Sequence, residues 1–586
     1  MSAPPFELSA APSTRSGGGP WSAVVVGLTA LLAVGIGGVL ASFLISSRDG
    51  PGALAMADSI PADAAYVLEL RLDLPGGQSE ALEQLLARFP AEASDAVADE
   101  NLERWIDEQL EQQGIEYRFA TDVKPWFDGR VTFAVLDMPS MAPDLDPSAA
   151  PQIPAVAVLI GARDPDAARD LSDRLRADAE EQGVGFRSET YEGVEILSQA
   201  ERDPASGIAF AWAIDADRVV LGTDAADVKE VLDVAAGRAE GIGAAEGYDR
   251  VAAALPADAA ASVLMNTPAF FAALVEDWRG VPELEPVADL YERIGTATGL
   301  MGGTLRIEPD GARVESAALF SGELPVPGNE ERGLDARVPG DAIFFADWSG
   351  FGELLAWYIT ALKDAMPDAS TSPELNRETI ADVEAAIGGD LESFVSWIDA
   401  VAIVAGWDGS QPYGGLILTT DDPDAARERI GRLRALGELA AGQAGITITD
   451  EPVGDVVVTT IRLPWEGGDP LPIQPVLQYA IEDDRVVIGV GDRFVARVLA
   501  LADGDSLAAS ERYLTARDAV GDSSNQAVVW LDFVALREAI ETNLPPDMRQ
   551  AYDAFVSGWV EPLDHLVQVS RADGELSVSV AEFRVR

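Results

Sequence analysis

The hexapeptide DPDAAR occupies residues 164–169 and occurs a second time at residues 422–427. Each copy follows a short apolar run, residues 155–160 and 415–419, that is typical of a strand. The first Asp can cap the free N–H groups of a helix, Pro suits the first helical position, and the second Asp complements the helix dipole. The motif therefore predicts a strand, a turn and a helix start at two places, 422 − 164 = 258 residues apart.

Other landmarks recur in the same order. PADA at 61–64 returns as PGDA at 339–342, DRVVLG at 217–222 returns as DRVVIG at 484–489, and a hairpin turn at 309–311 returns at 572–574. The offsets drift slowly: 341 − 63 = 278, 484 − 217 = 267 and 574 − 311 = 263. One such match could arise by chance, but an ordered set predicts an internal repeat whose period is the size of a domain.

The fold class predicted is α+β. Leucines at positions 68, 70, 72 and 74 alternate with charged residues, which indicates a strand with one buried and one solvated face in an antiparallel sheet. We expect two tandem related domains, at 60–320 and 339–586, with a linker at 321–338. Each should have a mostly antiparallel sheet and helices packed on one face.

The N-terminal region has a different character. Residues 1–20 are rich in Pro, Ser and Gly and predict a disordered tail. Residues 22–45 form an uncharged apolar run, so 21–46 is predicted as one transmembrane helix with the N-terminus inside, and 47–59 as a tether. A cleaved signal peptide with the A-x-A pattern at 55–57 is the alternative. The run is too long for a usual signal peptide and lies far from that pattern, so we favour an uncleaved anchor.

Composition excludes several function classes. The net charge is 41 − 99 = −58, which repels nucleic acid phosphates, so no nucleic acid partner is expected. There is no cysteine, which rules out disulfides and thiolate chemistry, and a single histidine rules out a site with several His ligands in one chain.

Candidate sites are few. His565 is the one conventional general base, but no Gly-x-Ser-x-Gly motif accompanies it, so a structural or surface role is expected. Trp126 and Trp465 lie in Pro/Gly-rich turns and are the tryptophans expected to be exposed. Asp421, Asp422 and Asp424 crowd one helix start, where capping accounts for two of them. We predict no catalytic residue, no cofactor and no metal site.

The chain resembles a bacterial family of domains of unknown function, number 3352. The resemblance rests on the N-terminal apolar span, IPAD at 60–63, VKPWFDGRV at 123–131 and the overall length. It implies a membrane-anchored extracytoplasmic protein without an established activity, and it supplies no catalytic residue. The second domain departs from the segment, with FVSW at 394–397 in its place.

The function expected is a non-enzymatic binding or scaffolding ectodomain, held at the cytoplasmic membrane by its N-terminal helix. Its partner would be an envelope protein, a polymer or an apolar ligand, bound between or within the two domains. A carboxylate-based envelope hydrolase and a carrier of lipid-like ligands are the alternatives. Converging carboxylates in a deep cleft would favour the first, and a continuous apolar cavity the second.

Overall fold

The computed structural model describes residues 54–90, 107, 117–138, 154–181, 183–202, 208–279, 284–322, 324–366, 377–463, 476–502 and 504–586. The predicted tail, the predicted transmembrane helix and Trp465 lie outside these ranges. Within these ranges, no helix is both long and apolar enough to cross a bilayer.

The described residues form one large antiparallel sheet. Its first ten strands are β1 (Tyr66–Arg71), β2 (Phe127–Asp137), β3 (Ala155–Ala162), β4 (Phe186–Tyr191), β5 (Val194–Gln199), β6 (Ala211–Asp215), β7 (Arg218–Gly222), β8 (Ala261–Asn266), β9 (Thr298–Glu308) and β10 (Gly311–Phe320). The next ten are β11 (Ala342–Ser349), β12 (Ala400–Trp407), β13 (Pro412–Thr419), β14 (Thr447–Val453), β15 (Val456–Arg462), β16 (Val476–Ile481), β17 (Arg485–Val490), β18 (Ala527–Asp532), β19 (Leu563–Asp573) and β20 (Leu576–Val585).

The order of these strands is the same in both halves. It runs β4-β5-β6-β7-β3-β2-β1-β8-β9-β10 and continues β20-β19-β18-β11-β12-β13-β17-β16-β15-β14, every pair antiparallel. Adding ten to the number of each strand in the first series gives the second series in reverse order. The α+β class with an antiparallel sheet is confirmed, and the sheet runs without a break through both halves.

The halves meet where β10 pairs with β20. Ser316 lies opposite Ser579 in this pair, and 579 − 316 = 263 is also the offset between the two hairpin turns. Each of these serines therefore faces the residue that holds its own position in the other half. A local two-fold axis passes through this point of the sheet.

Along the chain, helices alternate with groups of strands. In the first half they are α1 (Gln78–Leu86), α2 (Pro165–Glu181), α3 (Ala225–Ala235), α4 (Tyr248–Ala253), α5 (Thr267–Val275) and α6 (Glu285–Ala297). In the second they are α7 (Phe351–Ala365), α8 (Arg377–Ile387), α9 (Leu391–Val395), α10 (Pro423–Ala444), α11 (Phe494–Leu499), α12 (Glu511–Val520), α13 (Phe533–Asn543), α14 (Pro546–Phe555) and α15 (Ser557–Val560).

The repeated hexapeptide starts α2 and α10, as predicted. The Asp164 carboxylate accepts the N–H of Ala167 at 3.1 Å, and the Asp422 carboxylate accepts the N–H of Ala425 at 3.0 Å. Because these bonds satisfy N–H groups that have no partner inside the helix, each Asp fixes the residue at which its helix begins.

Helices cover both faces of the sheet, so the prediction of helices on one face is wrong. Val231 of α3 packs in one buried cluster with Val220, whereas Leu171 of α2 packs in another with Val219. Neighbouring residues of a strand point to opposite faces, so α3 lies on what we call face 1 and α2 on face 2. The physical reason is that β3 is apolar on both sides, unlike the alternating stretch on which the prediction was based.

The same two faces continue into the second half. Val578 and Val580 lie two residues apart on β20 and belong to the large buried clusters of the first and second halves, respectively. Both clusters are therefore on face 1. Helix α10 packs through Ala426 against Val486, next to the face 1 residue Val487, and so lies on face 2.

The end of the predicted linker is bound to the second half. Leu334 and Val338 are fully buried there. The Arg332 guanidinium, itself buried, contacts the buried Asp347 carboxylate with nitrogen–oxygen distances of 2.9 and 3.1 Å, and it also donates to Asn525. Asp347 in turn accepts the N–H of Val528. This network fixes the segment against β11 and β18.

Removing the Arg332 guanidinium should therefore destabilise the second half strongly. We expect Arg332→Met to lower the free energy of unfolding by about 3–5 kcal/mol, because the Asp347 charge would stay buried without its partner. Urea denaturation followed by tryptophan fluorescence measures this. Arg427→Met is the control, since Arg427 pairs with Asp424 on the exposed surface, where such a pair contributes about 0–1 kcal/mol. Equal losses for the two variants would contradict the assignment.

Candidate functional site

A cleft of about 920 Å³ lies on face 2 of the second half, between α10 and the turns that join β14 to β15 and β16 to β17. We call it the α10 cleft. Four arginines line it, together with four carboxylates and a set of apolar or aromatic side chains. The arginines are Arg337, Arg427, Arg434 and Arg485, and the carboxylates are those of Asp455, Glu482, Asp483 and Asp484.

Ion pairs hold the walls of the cleft. Arg337 makes a bidentate pair with Asp484, at 2.8 and 2.5 Å, and Arg434 makes one with Asp450 of β14, at 2.9 and 2.8 Å. The Arg337 guanidinium lowers the pKa of Asp484, and Arg434 does the same to Asp450. Arg485 pairs with Glu482. Since these charges neutralise one another, the arginines position the walls of the cleft and do not form a site for an anion.

The interior of the cleft keeps apolar surface in contact with solvent. Val457 of β15 is 54% exposed and lies between the half-buried Val456 and the buried Val458. Tyr479 of β16 and Ile430 of α10 line the same space and are only half buried. Exposed apolar side chains gathered in a concave site are a common feature of binding sites.

The corresponding place in the first half is filled. Trp212 of β6 pairs with Leu221 of β7, as Tyr479 of β16 pairs with Ile488 of β17, so the two side chains hold equivalent positions in the sheet. The buried Trp212 donates its Nε1–H to the Ser172 hydroxyl of α2 at 2.8 Å. Its ring meets that of Phe186 edge to face, with centroids 5.3 Å apart. The indole thus closes the space that stays open beside Tyr479.

The walls of the cleft offer apolar contact and hydrogen bonding to a partner. The lowered pKa keeps Asp484 ionised, whereas a general acid at neutral pH needs a raised pKa. Across the part of the chain that is described, no three His, Asp or Glu side chains are grouped so as to hold a metal ion. A partner with an apolar group and a polar rim would match these walls.

The residues predicted from sequence are not in this cleft. Trp126 was expected to be exposed but is buried, with 5% exposure, so this prediction is wrong. Its Nε1–H donates to the Asp122 carbonyl at 2.9 Å, and its ring packs in the face 2 cluster that includes Leu171 of α2. The residues of a Pro/Gly-rich turn do not indicate whether a helix distant in sequence will pack over that turn. Trp465 lies outside the described residues.

His565 is a core residue of β19 and not a surface residue. Its Nδ1 lies 2.9 Å from the Asp564 carboxylate, its ring is 5.2 Å from that of Trp530, and its buried Nε2 has no hydrogen-bond partner among the described residues. Burial lowers the pKa of His565. The geometry supports the structural role expected from the sequence and brings no nucleophile to this histidine.

The sequence reasoning overlooked Val457, Tyr479 and Arg434. A signal for Tyr479 was present: 479 − 212 = 267 is the offset of the DRVV motifs, 484 − 217 = 267, which places Tyr479 at the position equivalent to Trp212. No comparable signal marked Arg434, because its role depends on Asp450, a residue of the neighbouring strand.

The buried state of His565 predicts a pH dependence. Its folded pKa is below the unfolded value of about 6.5, so the unfolded chain binds the proton more readily and stability falls as pH drops below that value. We expect the single histidine Cε1–H resonance to titrate below pH 6.5 in the folded protein and near it in urea. His565→Gln should reduce the loss of stability between about pH 6.5 and 5. A folded titration midpoint above 6.5 would contradict this.

Comparison with known proteins adds a family but no activity. No curated protein matches the chain. Three crystal forms of TP0453, forms III, I and IV, align with 47% of this chain and with 83%, 82% and 81% of their own. The identities are 7%, 10% and 9%, and the TM-scores are 0.23, 0.21 and 0.20, values too low to support any argument from likeness.

The family model gives the stronger result. The model described as "Protein of unknown function (DUF3352)" matches residues 26–555, nearly the whole chain. This agrees with the resemblance found from the sequence. The chain therefore belongs to the DUF3352 family of proteins of unknown function.

Proposed function

We propose that this protein is a single-pass, membrane-anchored protein of the cell envelope whose second half binds a partner through the α10 cleft without chemical conversion. The apolar run at 22–45 supports the anchor, with the N-terminus inside and the folded region outside. The observation that carries the binding function is the open, partly apolar cleft at a position that Trp212 fills in the first half.

We further propose that the halves are two copies of one domain that have diverged in role. Their common strand order and the shared offset at Ser316 and Ser579 support a duplication. The first copy has lost its opening to the Trp212 ring and serves as a support. The second copy keeps the opening and presents it to a partner.

An envelope protein or polymer suits this cleft better than a lipid. Its walls carry four arginines and four carboxylates, and a long acyl chain would need a continuous apolar cavity. Each of the four arginines is already paired with a carboxylate, so these walls can form a polar rim around an apolar group of the partner, which is the usual anatomy of a protein interface.

A charge placed inside the cleft should abolish binding. Val457→Asp puts a carboxylate where the partner would desolvate it, and we expect the amount of captured partner to fall at least about tenfold. The measurement is affinity capture of the tagged full chain from envelope membranes in mild detergent, with quantification by mass spectrometry. A captured partner is then purified and titrated against both variants.

Val490→Asp is the matched control. Val490 is 51% exposed, against 54% for Val457, and it lies on β17 of the same sheet face, outside the residues that line the cleft. It should capture the same partner as the unmodified chain. If both variants retain the partner, or both lose it equally, the cleft is not the binding site. Co-purified lipid that is lost in Val457→Asp would instead support a carrier.

A further inference from the structure

We propose that the bilayer faces the first half around residues 54–60 and that the fold holds the α10 cleft about 50 Å from this attachment, along the sheet. This inference rests on the membrane anchor of the proposed function, but not on binding in the cleft. It assigns the surface around residues 54–60 to the membrane and the region around β16 to the partner.

The chain is fixed to the fold from residue 54 onwards. Leu54, Met56 and Ile60 are buried in the face 1 core of the first half. The N–H of Leu54 donates to the Tyr248 hydroxyl at 3.1 Å, and the N–H of Ala55 donates to the buried Glu69 carboxylate at 2.9 Å. The described part of the predicted tether therefore belongs to the folded body.

The length of the remaining chain limits the distance to the bilayer. The predicted span ends at residue 46, so residues 47–53, or 54 − 46 = 8 Cα–Cα steps, separate it from Leu54. A chain extends by at most about 3.5 Å per residue, so Leu54 lies within about 28 Å of the membrane surface. The tether therefore keeps residues 54–60, and the first half around them, close to the bilayer.

The cleft is far from this point. Residues 54–60 pack with Val67 of β1, Ala134 of β2 and Ala157 of β3. In the strand order, β1 is seventh and β16 is eighteenth, a separation of 18 − 7 = 11 strands. At about 4.8 Å per strand this amounts to about 53 Å along the sheet. Residues 54–60 lie on face 1 of the sheet, whereas the cleft lies on face 2.

The charges beside residues 54–60 oppose close contact of this surface with an anionic bilayer. The Asp58 and Asp217 side chains are 81% and 74% exposed, and both lie near the Arg218 guanidinium, at 4.0 and 2.9 Å. Two carboxylates and one guanidinium leave a net negative charge, which an anionic leaflet repels within a Debye length, about 8 Å at physiological salt. The attachment therefore keeps the body close to the membrane and does not press it onto the headgroups.

The absence of cysteine makes a direct test possible, because one introduced thiol can be labelled alone. The full-length chain is reconstituted in phosphatidylcholine vesicles that carry an acceptor dye on a headgroup. A donor is attached, by a membrane-impermeant maleimide, to Asp58→Cys, Asp217→Cys or Leu439→Cys. Leu439 lies on α10 and is 78% exposed, so it reports the distal end.

We expect energy transfer from positions 58 and 217 to be at least about threefold more efficient than from position 439. Agreement between the two first-half positions guards against a local disturbance in either variant. Equal or reversed efficiencies, in protein that floats with the vesicles after an alkaline wash, would overturn this inference and leave the anchor intact. Failure to float would overturn both. Loss of partner binding by Val457→Asp has no bearing on this result.

Discussion

The pairing of β10 with β20 is the interaction on which the rest of the structure depends. It joins two ten-strand series into one sheet and brings the face 1 cores of both halves together at Val578 and Val580. Without it, two long strands would be left with unpaired N–H and C=O groups, and both cores would be open to solvent at their inner edges.

Buried charges pin the register of this seam. Glu315 of β10 and Glu582 of β20 are buried, and Arg313 lies between them, 2.9 Å from Glu315 and 3.6 Å from Glu582. Arg584 pairs with Glu582 from the same strand. The Arg313–Glu582 contact crosses the seam, and a shift of one residue would place these two side chains on opposite faces of the sheet and break it. The register that pairs Ser316 with Ser579 is thus the one that keeps this contact.

The two halves share one strand order. They differ in the space between the sheet and the helix that covers it, which is α2 in the first half and α10 in the second. In the first half an indole occupies that space, and in the second the Arg434–Asp450 and Arg337–Asp484 pairs hold the walls apart around Tyr479. The chain enters the body on face 1, over β1, β2 and β3, and the open site lies on face 2, eleven strands from β1. The proposed supporting role of the first half and the proposed binding role of the second are in this way separated along one continuous, hydrogen-bonded sheet.

Local physics was sufficient for part of this description. The caps at Asp164 and Asp422, the hairpin between β9 and β10, and the antiparallel α+β class follow from residues close together in sequence, so the sequence by itself determined them. The burial of Trp126, the second helical layer and the opening beside Tyr479 were decided only by the tertiary structure. Each depends on which distant element packs on a given face, and burial and ion pairing are properties of those long-range contacts and not of the local chain.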